Sequence, residues 1–160
     1  MLSIIIPCFN EEEAIPLFFT EMENMKKTIT HDLEYIFIND GSKDLTLQVL
    51  RDLAIKHNFV RYISFSRNFG KEAALYAGLQ AATGDLITVM DVDLQDPPEL
   101  LPKMIEMIET SDVDCVGTRR ADRKGEPPIR SFFAKKFYQL INKISDTEMV
   151  DGASCLLYTS

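Results

Sequence analysis

Short apolar runs alternate with amphipathic stretches along the chain. Residues 2–6, LSIII, form such a run and stop at Pro7, which has no N–H to give a ladder, so they predict a buried strand. Over 11–27, Ala14, Leu17, Phe18, Met22 and Met25 recur at helical spacing. LEYIFI (33–38) predicts a second strand, and 44–56 a second helix with Leu47, Leu50, Leu53 and Ala54 inward. VRYISF (60–65) reads as a third strand, 71–82 as a helix of small residues, and DLITVM (85–90) as a fourth strand. A helix over 97–109, a strand VDCVG (113–117) and an amphipathic helix over 131–144 complete the pattern. Strands alternating with helices predict an α/β fold, a sandwich around a mostly parallel sheet. No internal repeat and no linker divides it. Ligands of such sheets sit beyond the carboxyl ends of the strands, so the residues that follow each strand are the candidates for chemistry.

Composition narrows the choice of function. The chain has 160 residues, 46% hydrophobic and 26% charged, enough for a core without disulfides and unlike a disordered or collagen-like protein. No apolar run is long enough to cross a bilayer, and MLSIIIPCFNEEE lacks the basic start of a signal peptide. Cys8, Cys115 and Cys155 have neither disulfide-framework nor zinc spacing, which points to a reducing, cytoplasmic setting. A net charge of −8 argues against gripping nucleic acid. Where CFNEEE follows the first strand, a dinucleotide oxidoreductase would carry G-x-G-x-x-G and a nucleotidyltransferase a glycine-rich basic loop.

The strand ends carry the chemistry. After the first strand, Asn10 reads as a helix cap with glutamates at the positive end of the helix dipole; alternatively Pro7, Phe9, Asn10 and Glu11 surround a nucleoside base and ribose. After the second, Asp40 either bonds its own turn, which Gly41 permits, or accepts from a base N–H or ribose hydroxyl. After the fourth comes Asp91-Val92-Asp93-Leu94-Gln95. Residues two apart in extended chain point the same way, so Asp91, Asp93 and Gln95 converge on one point. Paired carboxylates there suit Mg²⁺ or Mn²⁺ held jointly with phosphates. Asp96-Pro97-Pro98-Glu99 reads as a capped helix start. Ser66-Arg67-Asn68-Phe69-Gly70-Lys71-Glu72 precedes the small-residue helix, and Arg67 and Lys71 are placed to face the same cleft. Seven basic residues (Arg119, Arg120, Arg123, Lys124, Arg130, Lys135, Lys136) cluster after the fifth strand and suit an anionic ligand or a solvated face. Phe133, Phe137, Leu140, Ile141 and Ile144 then form a stripe fit for the sheet or for a membrane interface. His31 and His57 read as surface residues.

The segments IIIPCFNEEE (4–13), INDGSKD (38–44), SRNFGKEAALYAGLQAATGD (66–85) and MDVDLQDPPELLPKM (90–104) together resemble family 2 inverting glycosyltransferases of GT-A fold. RNFGKEAA combined with DVDLQDPPE is similar to the branch that transfers sugars to polyprenyl phosphate, that of dolichol-phosphate mannose synthase and bactoprenol glucosyltransferase. The resemblance implies that Pro7, Phe9, Asn10, Glu11 and Asp40 hold the nucleoside of a UDP- or GDP-hexose, with Asp91, Val92 and Asp93 also on the nucleotide sugar. It implies Asp91, Asp93 and Gln95 as ligands of Mg²⁺ or Mn²⁺, and Arg119 and Arg130 on diphosphate or acceptor phosphate. It further implies a polyprenyl phosphate acceptor, a place on the cytoplasmic face of the membrane, and a role in building the cell envelope. A cell-wall or polysaccharide hydroxyl acceptor, or nucleotide-sugar binding without turnover, are the alternatives. Phe9 stands where the family often has tyrosine, and Asn39 where an aspartate is common.

Relatives in this branch continue into a motif resembling G-D-F-R-L, whose aspartate is the proposed base or acceptor-positioning group. Asp151-Gly152-Ala153-Ser154 approaches that motif, but Asp151 precedes the glycine and does not inherit the role, so no catalytic residue is assigned. The transferase domain is expected over 1–154, incomplete at its C-terminus. The last residues, CLLYTS (155–160), are one translation of TGTCTCTTATACACATCT, a transposon end used in preparing sequencing libraries, and are expected to be non-native. A native tail is the other reading, in which Leu156 and Leu157 belong to the family's apolar run.

Overall fold

A computed structural model describes residues 1–95, 97–119 and 153–159. Its contacts divide the chain into two units, Met1–Val116 with Cys155–Ser160, and Gly117–Ser154. The first begins with β1 (Leu2–Cys8), α1 (Ala14–Met25), β2 (Leu33–Asn39), α2 (Thr46–Lys56) and β3 (Val60–Ser64). α3 (Lys71–Ala81), β4 (Leu86–Val89) and α4 (Leu101–Thr110) follow, the last entered through one 3₁₀ turn, Pro98–Leu100. β5 (Cys115–Arg119) lies two residues beyond the predicted strand, and β6 is Ala153–Thr159. The strand order among the described residues is β3-β2-β1-β4-β6-β5. β1 to β4 are mutually parallel, and Leu157–Thr159 of β6 run antiparallel to β4. The α/β expectation holds. The predicted helix over 131–144 and its apolar stripe lie outside the described residues.

The central strand divides its side chains by parity. Leu2, Ile4, Ile6 and Cys8 join Tyr35 and Phe37 in the larger core, covered by Phe18, Phe19 and Met22 of α1, Leu50 of α2 and Met104, Ile105 and Ile108 of α4. On the opposite face Ile5, Ile36, Ile38 and Ile87 pack against Ala74 of α3. The small residues of α3 bring it close: a Cβ on Gly78 would lie 2.3 Å from Ile5 Cγ2 and 2.9 Å from Ile38 Cδ1. In α1 the inward residues are Ile15, Phe18, Phe19 and Met22, a stripe of i, i+3, i+4 and i+7. Leu17, expected on that stripe, is 67% exposed because it projects from the other side of the helix. His57 is also not a plain surface residue: its ring lies 4.8 Å from Phe19 and 5.4 Å from Phe59. His31 pairs with Glu109 at 3.0 Å.

Pro7 does not end β1, which continues to Cys8 in register with β2. Leu2 donates to Asp32 O (2.8 Å) and Cys8 O accepts from Asp40 N–H (2.9 Å), so even-numbered residues of β1 bond towards β2. Ile5 O accepts from Met90 N–H (3.0 Å), so odd-numbered residues bond towards β4. Residue 7 would donate the next bond to β4, and proline has no N–H to donate. Pairing with β2 is untouched, while β4 separates after Val89 and the chain enters the turn that carries Asp91 and Asp93.

At the amino ends of the strands, Glu34 is 6% exposed and its carboxylate is surrounded by donors. Ser3 Oγ, Thr83 N–H (2.7 Å), Thr83 Oγ1 (2.9 Å) and Arg61 Nη1 (3.2 Å) all donate to it, and Gly84 N–H donates to Ser3 Oγ (2.8 Å). Burial opposes the charged form, but the bonds from Ser3, Thr83 and Arg61 outweigh it and hold the carboxyl below its usual range. A folded-state pKa lowered in this way stabilises the fold above the unfolded value, and the contribution is lost as pH falls through the folded one. We expect Glu34→Gln to destabilise the chain by about 1–3 kcal/mol at pH 7 and to flatten the loss of Tm between neutral and acidic pH. Thermal melts across that range would show it; an unchanged acid slope would place the sensitivity elsewhere.

Candidate nucleotide-sugar site

The carboxyl ends of β1, β2 and β4 and the start of α3 enclose a cavity of about 330 Å³. Of the residues singled out from the sequence, Pro7, Phe9, Glu11, Asp40, Asp91, Val92 and Asp93 line it. Lys71 does so as well, while Arg67 instead stacks over the Phe69 ring at 4.5 Å. Cys8, Asn68, Gly70 and Ala74 complete the wall without having been anticipated. Cys8 is there as the last residue of β1 and Ala74 as part of α3, while Asn68 and Gly70 arrive with the loop before α3, which folds back to the end of β2.

That folding is dictated by Asp40, which is 4% exposed. Its Oδ1 accepts from Phe69 N–H (2.7 Å) and its Oδ2 from Gly70 N–H (3.0 Å). Gly41, at φ +67, turns the chain directly beneath this loop, and a Cβ there would lie 2.3 Å from the Arg67 carbonyl carbon. Glycine is required twice over, for the left-handed backbone and for the close approach. Asp40 thus binds a turn, but that of the following loop rather than its own. Asn39 is 2% exposed and uses both halves of its amide, donating to Ser64 Oγ (3.0 Å) and accepting from Ser42 N–H (3.1 Å). An aspartate there could not donate to the serine while ionised.

Asn10 is not the cap of α1, whose N-cap position is Glu13 with no side-chain cap bond. It sits at φ +58 and joins two loops: its N–H donates to Ser42 Oγ (2.9 Å) and its Oδ1 accepts from Lys43 N–H (2.9 Å). Glu11 N–H donates to Thr46 Oγ1 (2.8 Å), and Glu12 Oε2 accepts from Leu45 N–H (2.6 Å). Competition between local capping and these contacts across sequence was not visible in the motif itself. The result is that Asn10 lies beside the cavity wall and Glu11 on it.

Beyond β4 the chain is a turn, not the extended segment expected from the D-x-D spacing. Asp91 and Asp93 still line one cavity, with different partners. Lys71 Nζ donates to both Asp91 oxygens, at 2.7 and 2.8 Å. Asp93 accepts from Gln95 N–H (3.1 Å) and Gln95 Nε2 (2.7 Å), so Gln95 does come to Asp93, as a donor. The cavity is rich in negative charge: burial, then Asp93, Asp44 and Asp91, push the Glu11 carboxyl up. Burial, then the charges of Glu11 and Asp91, push the Cys8 thiol up strongly, which disfavours its thiolate. Among the described residues no three acidic, histidine or cysteine side chains form a ready metal cage. Two adjacent carboxylates with surplus negative charge nevertheless fit a hard cation shared with phosphate oxygens, the usual mode for Mg²⁺. Arg119 belongs to β5, while Asp96, Arg120 to Lys136 and Asp151 lie outside the described residues, Arg130 among them.

Residues 3–158 match the family described as Glycosyl transferase family 2. The chain belongs to that family. It is 45% identical over 151 residues to a prophage bactoprenol glucosyl transferase homolog of Escherichia coli K12, covering 94% of this chain and 49% of that protein. It is 44% identical over 151 residues to the bactoprenol glucosyl transferase of Shigella phage SfX, again 94% of this chain and 49% of that protein. The chain therefore spans about half the length of these relatives. Two solved structures show the same GT-A fold. One is glucosyl-3-phosphoglycerate synthase of Mycobacterium tuberculosis with Mn²⁺, UDP-glucose and phosphoglyceric acid (TM-score 0.67, 21% identity, 99% of this chain and 56% of that one). The other is the mannosyltransferase PcManGT of Pyrobaculum calidifontis with GDP-mannose and Mn²⁺ (TM-score 0.63, 21% identity, 99% and 44%).

The Asp40 clamp is open to direct test. Asp40→Asn turns one amide N–H₂ against a backbone N–H, and leaves a part-buried donor unpaired. We expect a loss of about 2–3 kcal/mol in urea unfolding. A change below about 0.5 kcal/mol, the range of an ordinary surface substitution, would remove the clamp from the account.

Proposed function

We propose that this family 2 domain binds a UDP- or GDP-hexose and, in its parent protein, transfers the sugar with inversion to polyprenyl phosphate. The carrying observation is that one cavity at the strand ends gathers an exposed aromatic face (Phe9), two carboxylates beside it (Glu11 and Asp40) and the Asp91–Asp93 pair. Relatives at 44–45% identity named as bactoprenol glucosyl transferases support the lipid-phosphate acceptor. Structures of the same fold that hold Mn²⁺ with a nucleotide sugar support a divalent cation.

In this reading Phe9 stacks on the base, and Asp40 and Glu11 accept hydrogen bonds from base N–H or ribose hydroxyls. Pro7 and Val92 supply apolar wall, and Asn10 keeps the loop in position. Asp91 and Asp93, with Gln95 beside them, hold Mg²⁺ or Mn²⁺. Such a cation, when bound, supplies positive charge against the departing diphosphate. Arg119 and Arg130 are assigned to diphosphate or acceptor phosphate. A phosphate monoester, with a second pKa of about 6, is largely ionised near neutrality, so the acceptor needs placement more than deprotonation. In this reading the reaction belongs to the cytoplasmic face of a membrane, where a water-soluble donor meets a membrane-dissolved acceptor.

Calorimetric titration with UDP and GDP, with and without Mn²⁺, tests the donor half of the proposal. One nucleotide is expected to bind in a metal-dependent way, and Asp93→Ala to abolish that binding. Equal binding in EDTA would count against the metal site. With labelled UDP- or GDP-hexose, transfer to undecaprenyl phosphate is the expected turnover of the full-length parent; transfer only to a sugar hydroxyl would replace the acceptor assignment.

A further inference from the structure

Four carboxylates line the cavity (Glu11, Asp40, Asp91 and Asp93), and Lys71 is the one cationic side chain among the described residues that lines it. Asp40 has both oxygens on backbone N–H groups, and Asp93 has both on Gln95. Asp91 instead has Lys71 across both of its oxygens. The pair is accessible, with the lysine side chain 54% and the aspartate 41% exposed, so solvent screens it and opening it costs little. Lys71 is the first residue of α3, and its backbone is fixed by the Asp40 clamp on the two residues before it. Only its flexible stem and rotating ammonium can move. A divalent cation on Asp91 and an ammonium across both Asp91 oxygens compete for the same lone pairs.

We propose that Lys71 is a placeholder cation: it neutralises Asp91 while the cavity holds no metal, and yields that carboxylate when a divalent ion enters. The proposal rests on reading Asp91 as a metal ligand and adds a competitor to it. The ammonium released in this way stays at the cavity wall, within reach of the phosphate oxygens that arrive with the metal. Lys71 thus opposes binding of the bare ion and favours binding of the ion together with a nucleoside diphosphate.

The test is Mn²⁺ binding followed by electron paramagnetic resonance of the free ion, without nucleotide and then with UDP or GDP. Lys71→Met is expected to bind Mn²⁺ alone about tenfold more tightly than the unaltered chain, because a unit positive charge has been withdrawn from beside the ion. At saturating Mn²⁺ the same variant is expected to bind the preferred nucleotide about tenfold more weakly, one charge-assisted contact having been lost. Lys71→Arg retains the charge and should keep weak binding of the bare ion, and Lys71→Gln provides a second neutral variant if Lys71→Met does not fold. Unchanged or weaker Mn²⁺ binding in the neutral variants, with the unaltered chain binding the ion, overturns the placeholder and leaves the metal site standing. No Mn²⁺ binding to any of these proteins, even with UDP or GDP present, overturns the metal site and the placeholder together.

Discussion

The arrangement of the cavity depends on the buried carboxylate of Asp40 and the two backbone N–H groups it holds. Through Phe69 and Gly70 it fastens the end of β2 to the beginning of α3, and Gly41 lets the two backbones come into contact. Asn10, Glu11 and Glu12 stitch the loop after β1 onto the same region through Ser42, Lys43, Leu45 and Thr46. Three loops distant in sequence become one wall. A carboxylate gripping backbone suits this purpose, since the bonds are charge-assisted and the group is withdrawn from competing water.

The strand end beyond β4 is released from that wall for the opposite reason. Proline at position 7 withholds the N–H that would have carried the β1–β4 ladder onward, and the chain turns away with Asp91 and Asp93 at its start. One missing donor therefore separates the wall clamped by Asp40 from a turn that presents carboxylates. Burial first, then the charges of Asp93, Asp44 and Asp91, push the Glu11 carboxyl up. Within the chain, Lys71 places one positive charge against Asp91.

Much of the fold was legible because burial leaves a periodic trace. The runs at 2–6, 33–38, 60–65 and 85–90 read as strands, of which the edge run at 60–65 is largely exposed and the other three buried, and the alanines and glycine of 71–82 implied a helix lying close on the sheet. The errors share a cause. Leu17 was placed inward because an apolar residue near helical spacing looks the same whether or not a neighbour exists to cover it. The cap reading of Asn10 fails because local rules weigh the next three residues, while its partners lie more than thirty residues away. Asp40 could be read as a turn residue or a ligand acceptor; that it grips residues 69 and 70 depends on β2 and α3 being adjacent.

Polarity and period along the chain are enough to give the layered α/β architecture, the succession of strands and helices, and the residue types gathered at the strand ends. These follow from side-chain polarity and period, which are local properties of the chain. Which of those end groups face the cavity, which tie loops together, and which partner each carboxylate takes follow only from the packing of distant segments. Those outcomes depend on distances between segments that no local pattern encodes. The ammonium of Lys71, twenty residues from Asp91 along the chain and 2.7 Å from it in space, is the clearest instance.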